Sequence, residues 1–150
     1  MAKTNNLTAI VGGGLVAGAV DIAVATVIYK IPTWQKTLQS VATGWYGKHS
    51  FELGMQSVIV GALSQAAICM IIAASYVYFS GPLLRRPWLG GTLLGLGVYL
   101  VMNYVVVPLS KAGRGLHMPT INQTFVLTLL ANILLGLIIA HFAARFAKRP

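Results

Sequence analysis

Charge is what this chain has least of. Of its 150 residues only 9% are charged, and only two are acids, Asp21 and Glu52. A soluble domain carries roughly 25% charged residues, so a soluble enzyme and a disordered chain are both excluded. With two acids in all, there is no carboxylate pair suited to metal or glycosidic chemistry. The single cysteine, Cys69, excludes an intrachain disulfide and is uninformative about redox compartment. His49 and His117 fall in different loops and have no metal-ligand spacing. No serine, cysteine and histidine arrangement has nucleophile spacing. The sequence therefore predicts no metal, no cofactor and no enzymatic activity.

The net charge of +9 is not a nucleic-acid signature. Eleven Lys and Arg residues are ordinary for this length, and the excess comes from the lack of acids. The basic residues are scattered between long apolar runs, where they meet phosphate headgroups at about 1 kcal/mol each near an anionic surface. The expected partner is the lipid bilayer, with no nucleic acid.

What the chain does have is apolar length, with 57% hydrophobic residues. Between Lys3 and Lys30 the only charge is Asp21, and residues 53–84, 87–110 and 115–144 contain none. A membrane helix needs roughly 20 predominantly apolar residues, so each window holds one. The prediction is an all-α integral membrane protein, a single domain over 1–150, with helices at about 7–30, 56–79, 88–109 and 121–145. Pro32, Pro82, Pro87, Pro108, Pro119 and Pro150 all fall at or near the proposed ends, where they cost no interior hydrogen bond. Tyr29, Trp34, Trp45, Tyr46, Tyr76, Tyr78 and Trp88 lie near the same edges, at the headgroup level that Trp and Tyr favour. Ala23-Val24-Ala25 imitates a signal-peptide cleavage site, but the apolar stretch is too long for one, and the first span is expected to be retained.

The first loop is expected to be more than a linker. Trp34, Leu38, Val41 and Trp45 recur at helical spacing. They predict a short interfacial helix over about 33–46, with Trp34 and Trp45 in the headgroup layer; a helix covering the bundle end is the alternative. The termini and second loop carry Lys3, Arg85, Arg86, Arg145, Lys148 and Arg149. The first and third loops carry Lys30, Lys36, Lys48, Lys111 and Arg114. Arg85-Arg86 sits in a very short loop, where the positive-inside rule applies best, and this places both termini in the cytoplasm.

Each span has a stripe of small and polar residues, the composition that lets helices approach in lipid. These are Gly14, Gly18, Asp21 and Ala25 on the first, and Ser57, Gly61, Gln65 and Cys69 on the second. The third has Gly91, Gly95, Tyr99 and Asn103, and the fourth has Thr124, Thr128, Asn132 and Gly136. Counted inward from the first and third loops at ~1.5 Å per residue, Asp21, Gln65, Tyr99, Thr128 and Asn132 reach a common depth of roughly 10–17 Å, with Asn103 nearer the surface. A buried hydrogen-bond network is expected there. Asp at a helix centre costs roughly 2.5–3.5 kcal/mol, and intramembrane acids mark ion or proton paths. No Lys or Arg shares the depth of Asp21. It is therefore expected to be held by hydrogen bonds, as helix glue through Gln65 or Tyr99, as a proton-active group, or as the wall of a water-filled cavity.

Other residues carry ordinary expectations. His141, beside Arg145, is read as capped or membrane-facing and not as a haem ligand. Glu52 is read as an acid favouring the positive end of the second helix, with contact to Lys48 as the alternative. The run Gly12-Gly13-Gly14 has no phosphate-loop context and is read as close packing or local unwinding.

The runs 13–22 (Gly-Gly-Leu-Val-Ala-Gly-Ala-Val-Asp-Ile), 38–44 (Leu-Gln-Ser-Val-Ala-Thr-Gly), 85–91 (Arg-Arg-Pro-Trp-Leu-Gly-Gly) and 99–110 resemble small bacterial four-helix inner-membrane proteins without an assigned activity. The resemblance spans about 10–147 and implies a bacterial inner-membrane location and no catalytic residue. A likeness to small multidrug transporters is architectural only: four helices with an acid in the first, here Asp21. The reading that follows is a non-enzymatic protein acting by association, as an accessory or assembly subunit of a membrane complex or as a homo-oligomer. The alternative is a small proton-coupled transporter or channel using Asp21. A cavity reaching Asp21 favours the second, and a co-purifying partner the first.

Four spans return the chain to its starting side. Cysteines engineered at 2–5 and at 148–150, in a background lacking Cys69, should show the same sidedness toward an impermeant maleimide. Opposite accessibility would remove the four-span topology.

Overall fold

A computed structural model describes residues 5–113 and 121–147. Expectations placed on Lys3, Arg114, His117, Pro119, Lys148, Arg149 and Pro150 lie outside the described residues. Four helices are long and apolar enough to cross a membrane: α1 (Asn6–Ile28), α3 (Met55–Phe79), α4 (Pro87–Leu109) and α5 (Gln123–Phe146). A short helix, α2 (Trp34–Tyr46), lies between the first two. The chain is an all-α, multi-pass integral membrane protein: a four-helix bundle with an interfacial helix.

Local chemistry sets the helix ends. The Asn5 side chain accepts from Leu7 N at 3.0 Å, and Asn122 accepts from Phe125 N at 2.9 Å. Thr33 caps α2, and Pro87 opens α4, where its missing N–H is no loss. At the end of α1, Lys30 adopts φ 51°, and Ile31 N returns to Thr26 O at 3.0 Å. This closes the helix with a left-handed residue at the position glycine usually takes. Pro108 lies inside the last turn of α4. Before it, Met102–Val106 widens into a π turn, which relieves the contact between a proline ring and the preceding carbonyls.

Packing is made by small residues. Fully buried positions include Ala9, Ala17, Ala42, Ala73, Ala140 and Ala143, whereas Leu15, Leu63, Leu100 and Leu130 are exposed. In lipid this is the expected inversion, because the exterior is as apolar as a leucine. Between α4 and α5, a Cβ at Gly91 would stand 2.7 Å from Leu137 Cα; one at Gly95 would collide with the Asn132 carbonyl, and one at Gly136 with the Gly91 carbonyl. Between α1 and α3, a Cβ on Gly14 would lie 2.9 Å from Met70 Cα, and Gly18 faces Cys69 Sγ. Gly12 and Gly13 seat Phe142 of α5; the glycine run is a packing surface in an unbroken helix. Asn5 N donates to Phe146 O at 2.7 Å, so the first and last spans meet at one end.

The lateral order is α4, α5, α1, α3, with α2 on the outside of α3. The sequential neighbours α3 and α4 form no comparable interface. They approach near their linker, where Tyr76 donates to Leu83 O at 3.3 Å and abuts Gly90.

The interfacial helix α2 turns its tryptophans outward, as residues of the headgroup layer should be: Trp34 and Trp45 are 56% and 62% exposed, while Thr37, Leu38, Gln39 and Ala42 are buried. Gly61, expected in an interspan contact, receives the backbone of Leu38 from α2. Gln39 Nε2 donates to Gly54 O at 3.1 Å and Ser57 Oγ at 3.3 Å, and Trp45 Nε1 donates to Ser64 Oγ at 3.0 Å. Burial here follows backbone proximity and hydrogen bonding, and the tryptophans turn toward the surroundings that suit them.

The glycine contacts give a stability contrast. Gly95→Ala and Gly136→Ala should each destabilise the bundle by about 1–3 kcal/mol through overpacking, read by reversible detergent unfolding. Gly97→Ala, one helix turn from these contacts and with open space around its Cβ, should leave stability unchanged or slightly raised. Equal effects at all three positions would defeat the packing account.

Candidate functional site

The spans deliver polar residues to one partly open region. A cavity of about 190 Å³ is lined by Asp21 and Tyr29 of α1, Gln65 and Cys69 of α3, Asn103 of α4, and Thr128 and Asn132 of α5. Apolar walls come from residues such as Ile28, Ile72 and Leu135. All four spans contribute, and among the described residues the lining includes one carboxylate and no Lys, Arg or His.

Asp21 is anchored from across the helix interface. Gln65 Nε2 donates to Asp21 Oδ2 at 2.7 Å, and Gln65 also lies 3.7 Å from Cys69 Sγ. Gly18, three residues before Asp21, lets α3 approach closely enough for this bond. Among the described residues the one ion pair is His49–Glu52, at 3.0 Å and well exposed, so Asp21 has no described cationic partner. A hydrogen bond alone offsets part of the cost of holding a carboxylate in an apolar layer.

The other polar residues do not join it in one network. Asn103 Nδ2 donates to Tyr99 O and Asn132 Nδ2 to Thr128 O, each at 2.9 Å and each four residues back on its own helix. Those amides line the cavity while their donors stay within the helix. Tyr99 is buried against Phe125, with ring centroids 5.6 Å apart, and lines a neighbouring cleft of about 180 Å³ with Asn122 and Thr124. Tyr29, Asn103 and Thr128 line both spaces, and the hydroxyls of Tyr29 and Thr128 are 2.9 Å apart. The π turn of α4 contains Asn103; such widened turns recur at functional sites because they re-aim side chains.

Among the packing residues, Gly14 and Gly18 join α1 to α3, and Gly91, Gly95 and Gly136 join α4 to α5. Gly61 serves α2, and Trp34 and Trp45 stand outside the cavity. His141 Nδ1 lies 2.8 Å from Leu137 O, and its ring packs edge-on to Trp88 at 4.8 Å. Glu52 accepts from His49 Nδ1 instead of meeting Lys48. No group of three or more His, Cys, Asp or Glu residues among the described residues is placed to hold a metal.

Two residues the sequence reading left aside prove central. Tyr29 extends the stripe Asp21, Ala25 by four residues, so spacing alone had marked it; its aromatic character drew attention to the headgroup layer instead. Nothing in the spacing of α2 singles out Gln39, and the approach of Leu38 to Gly61 turns it inward.

The Asp21–Gln65 bond can be tested as glue. Asp21→Asn keeps an acceptor for Gln65 and should fold with nearly wild-type stability. Asp21→Leu should loosen the bundle by about 1–2 kcal/mol, measured by the same detergent unfolding. A leucine variant as stable as wild type would show that the bond contributes nothing to assembly.

Comparison with known proteins adds no relative: no family model matches the chain, no curated protein is similar to it, and no solved structure matches it. What stands of the resemblance drawn from the sequence is its coarse part, a small four-helix integral membrane protein.

Proposed function

We propose that this protein is a small membrane carrier that binds a cationic group in the Asp21 cavity. Its activity is binding and movement, without covalent chemistry. The observation that carries this reading is the cavity itself: all four spans line it, and its one carboxylate has no described cationic partner. A bundle held together only by glue would fill this volume with side chains, since membrane helices associate through close packing. A carboxylate facing an internal space is the usual mark of an ion or solute path.

The neighbouring cleft, which shares Tyr29, Asn103 and Thr128, extends the polar lining toward the first and third loops. With both termini on the cytoplasmic side, as the Arg85-Arg86 loop favours, this approach opens toward the opposite face. A bacterial inner membrane is the setting the sequence resemblance suggests.

A second reading has one observation in its favour. The exposed apolar channel between α3 and α4, about 520 Å³, suits a helix of a partner subunit or of another copy. In that reading the chain is an accessory or assembly subunit or a homo-oligomer, and a stoichiometric partner should be retained in mild detergent.

Equilibrium dialysis of radiolabelled tetramethylammonium against the protein in vesicles separates the readings. Wild type should bind saturably, and Asp21→Asn should weaken binding roughly tenfold or more, the equivalent of ~1.4 kcal/mol. Neutral tert-butanol at equal concentration should not compete. Binding that is absent, or indifferent to Asp21→Asn, would overturn the carrier reading.

A further inference from the structure

The polar cavity and the apolar channel share a wall. Ile68 and Ile72 of α3 and Val98 and Met102 of α4 line both. The channel continues outward along Ile71, Leu93, Gly97 and Val101, and Ile71, Leu93 and Val101 are exposed. The space around Asp21 thus adjoins the one lateral boundary where two spans fail to close on each other. Its wall chemistry changes in a single step: carboxylate and amides within, and apart from Ser75 only apolar residues and Gly97 without.

We propose that the ligand is a single-chain amphiphile with an ammonium head, seated with its head against Asp21 and its chain in the channel between α3 and α4. This rests on the carrier reading and adds the substrate class. A soluble cation has no use for an apolar channel, and a partner helix has no use for a buried carboxylate. One molecule with a cationic end and an apolar end satisfies both. The chain gains little by moving from bilayer to channel, because both are apolar. Attraction to Asp21 therefore supplies the selectivity, the channel holds the chain, and the polar cleft of Tyr29, Asn103 and Thr128 offers the head its approach. The π turn begins at Met102, on the shared wall, and Asn103 follows it on the polar side.

Gly97 permits a selective test. A Cβ there meets nothing within 4 Å, so a Gly97→Leu side chain starts in open space and adds bulk to the channel. The probe is a dodecyltrimethylammonium with a diazirine in its chain, photolysed with the protein in phosphatidylcholine vesicles, with labelled peptides identified by mass spectrometry. Labelling should concentrate on the α3 and α4 residues of the channel, and fall about tenfold in Asp21→Asn, the equivalent of a tenfold weaker affinity. It should be displaced by unlabelled dodecyltrimethylammonium and not by dodecanol. Gly97→Leu should abolish channel labelling while tetramethylammonium binding stays at the wild-type level, which also reports that the variant is folded.

Failures are distinguishable. If tetramethylammonium binds through Asp21 but the tailed probe labels lipid-exposed residues evenly around the bundle, the amphiphile assignment falls and the carrier reading stands. If the channel is labelled equally by ammonium and alcohol probes and equally in Asp21→Asn, the role of Asp21 as counter-charge falls, and both readings fall with it. If the channel is inaccessible to the probe and the protein runs as a crosslinkable dimer or retains a partner through α3 and α4, the channel is a protein interface and the proposal is overturned.

Discussion

Everything in this molecule depends on how closely two backbones can approach in a solvent that gives helices no apolar reason to associate. The answer is local and chemical. Where glycine faces glycine, as at Gly91, Gly95 and Gly136, α4 and α5 touch through main-chain atoms. Where Gly14 and Gly18 face Met70 and Cys69, α1 and α3 do nearly the same. Where α3 faces α4, the residues are mostly isoleucine, leucine, valine and methionine, with only Ser75 and Gly97 small, and the helices stay apart. The distribution of side-chain bulk fixes which spans pair and which leave a gap.

The cavity is a by-product of that distribution. Because α5 and α1 occupy the middle of the row, α3 and α4 flank them, and the polar faces of all four turn toward a space that none fills. Asp21 is tied to α3 by Gln65 alone, while Asn103 and Asn132 bond their own helices. The polar groups are thus positioned without being consumed by each other. A fully mutual network of the kind the four stripes suggested would have produced a stronger core and no room.

The sequence made the spans legible because charge-free length is a direct requirement of the bilayer, and the glycine and polar stripes because helical spacing maps onto faces. Depth counting offered Gln65 and Tyr99 as the two partners for Asp21, and Gln65 is the one that bonds it. Tyr99 could not be separated from the Asp21 layer in this way, because depth says nothing about rotation around the helix, and Tyr99 turns toward Phe125. The inward face of α2 was not legible, for a deeper reason. In water, an apolar stripe identifies the buried side, but next to lipid both sides welcome apolar groups. Trp34 and Trp45 therefore marked the outward side, while Thr37, Gln39 and Ala42 marked the inward one. The open seam between α3 and α4 was not legible in the sequence, since it shows only once the lateral order of the helices is known.

That lateral order also dictates how the chain can complete itself during synthesis. The ribosome delivers α1, α2 and α3 first, and these already own their mutual contacts. The next span, α4, emerges with its chief partner still unmade, its glycine face turned to lipid until α5 arrives. Only the last helix joins the two halves, seating Phe142 on Gly12 and Gly13 and closing the main-chain bond from Asn5 to Phe146. A nascent chain stalled before residue 123 would hold Asp21 and Gln65 in contact yet enclose nothing, so the cavity comes into being with the final insertion event.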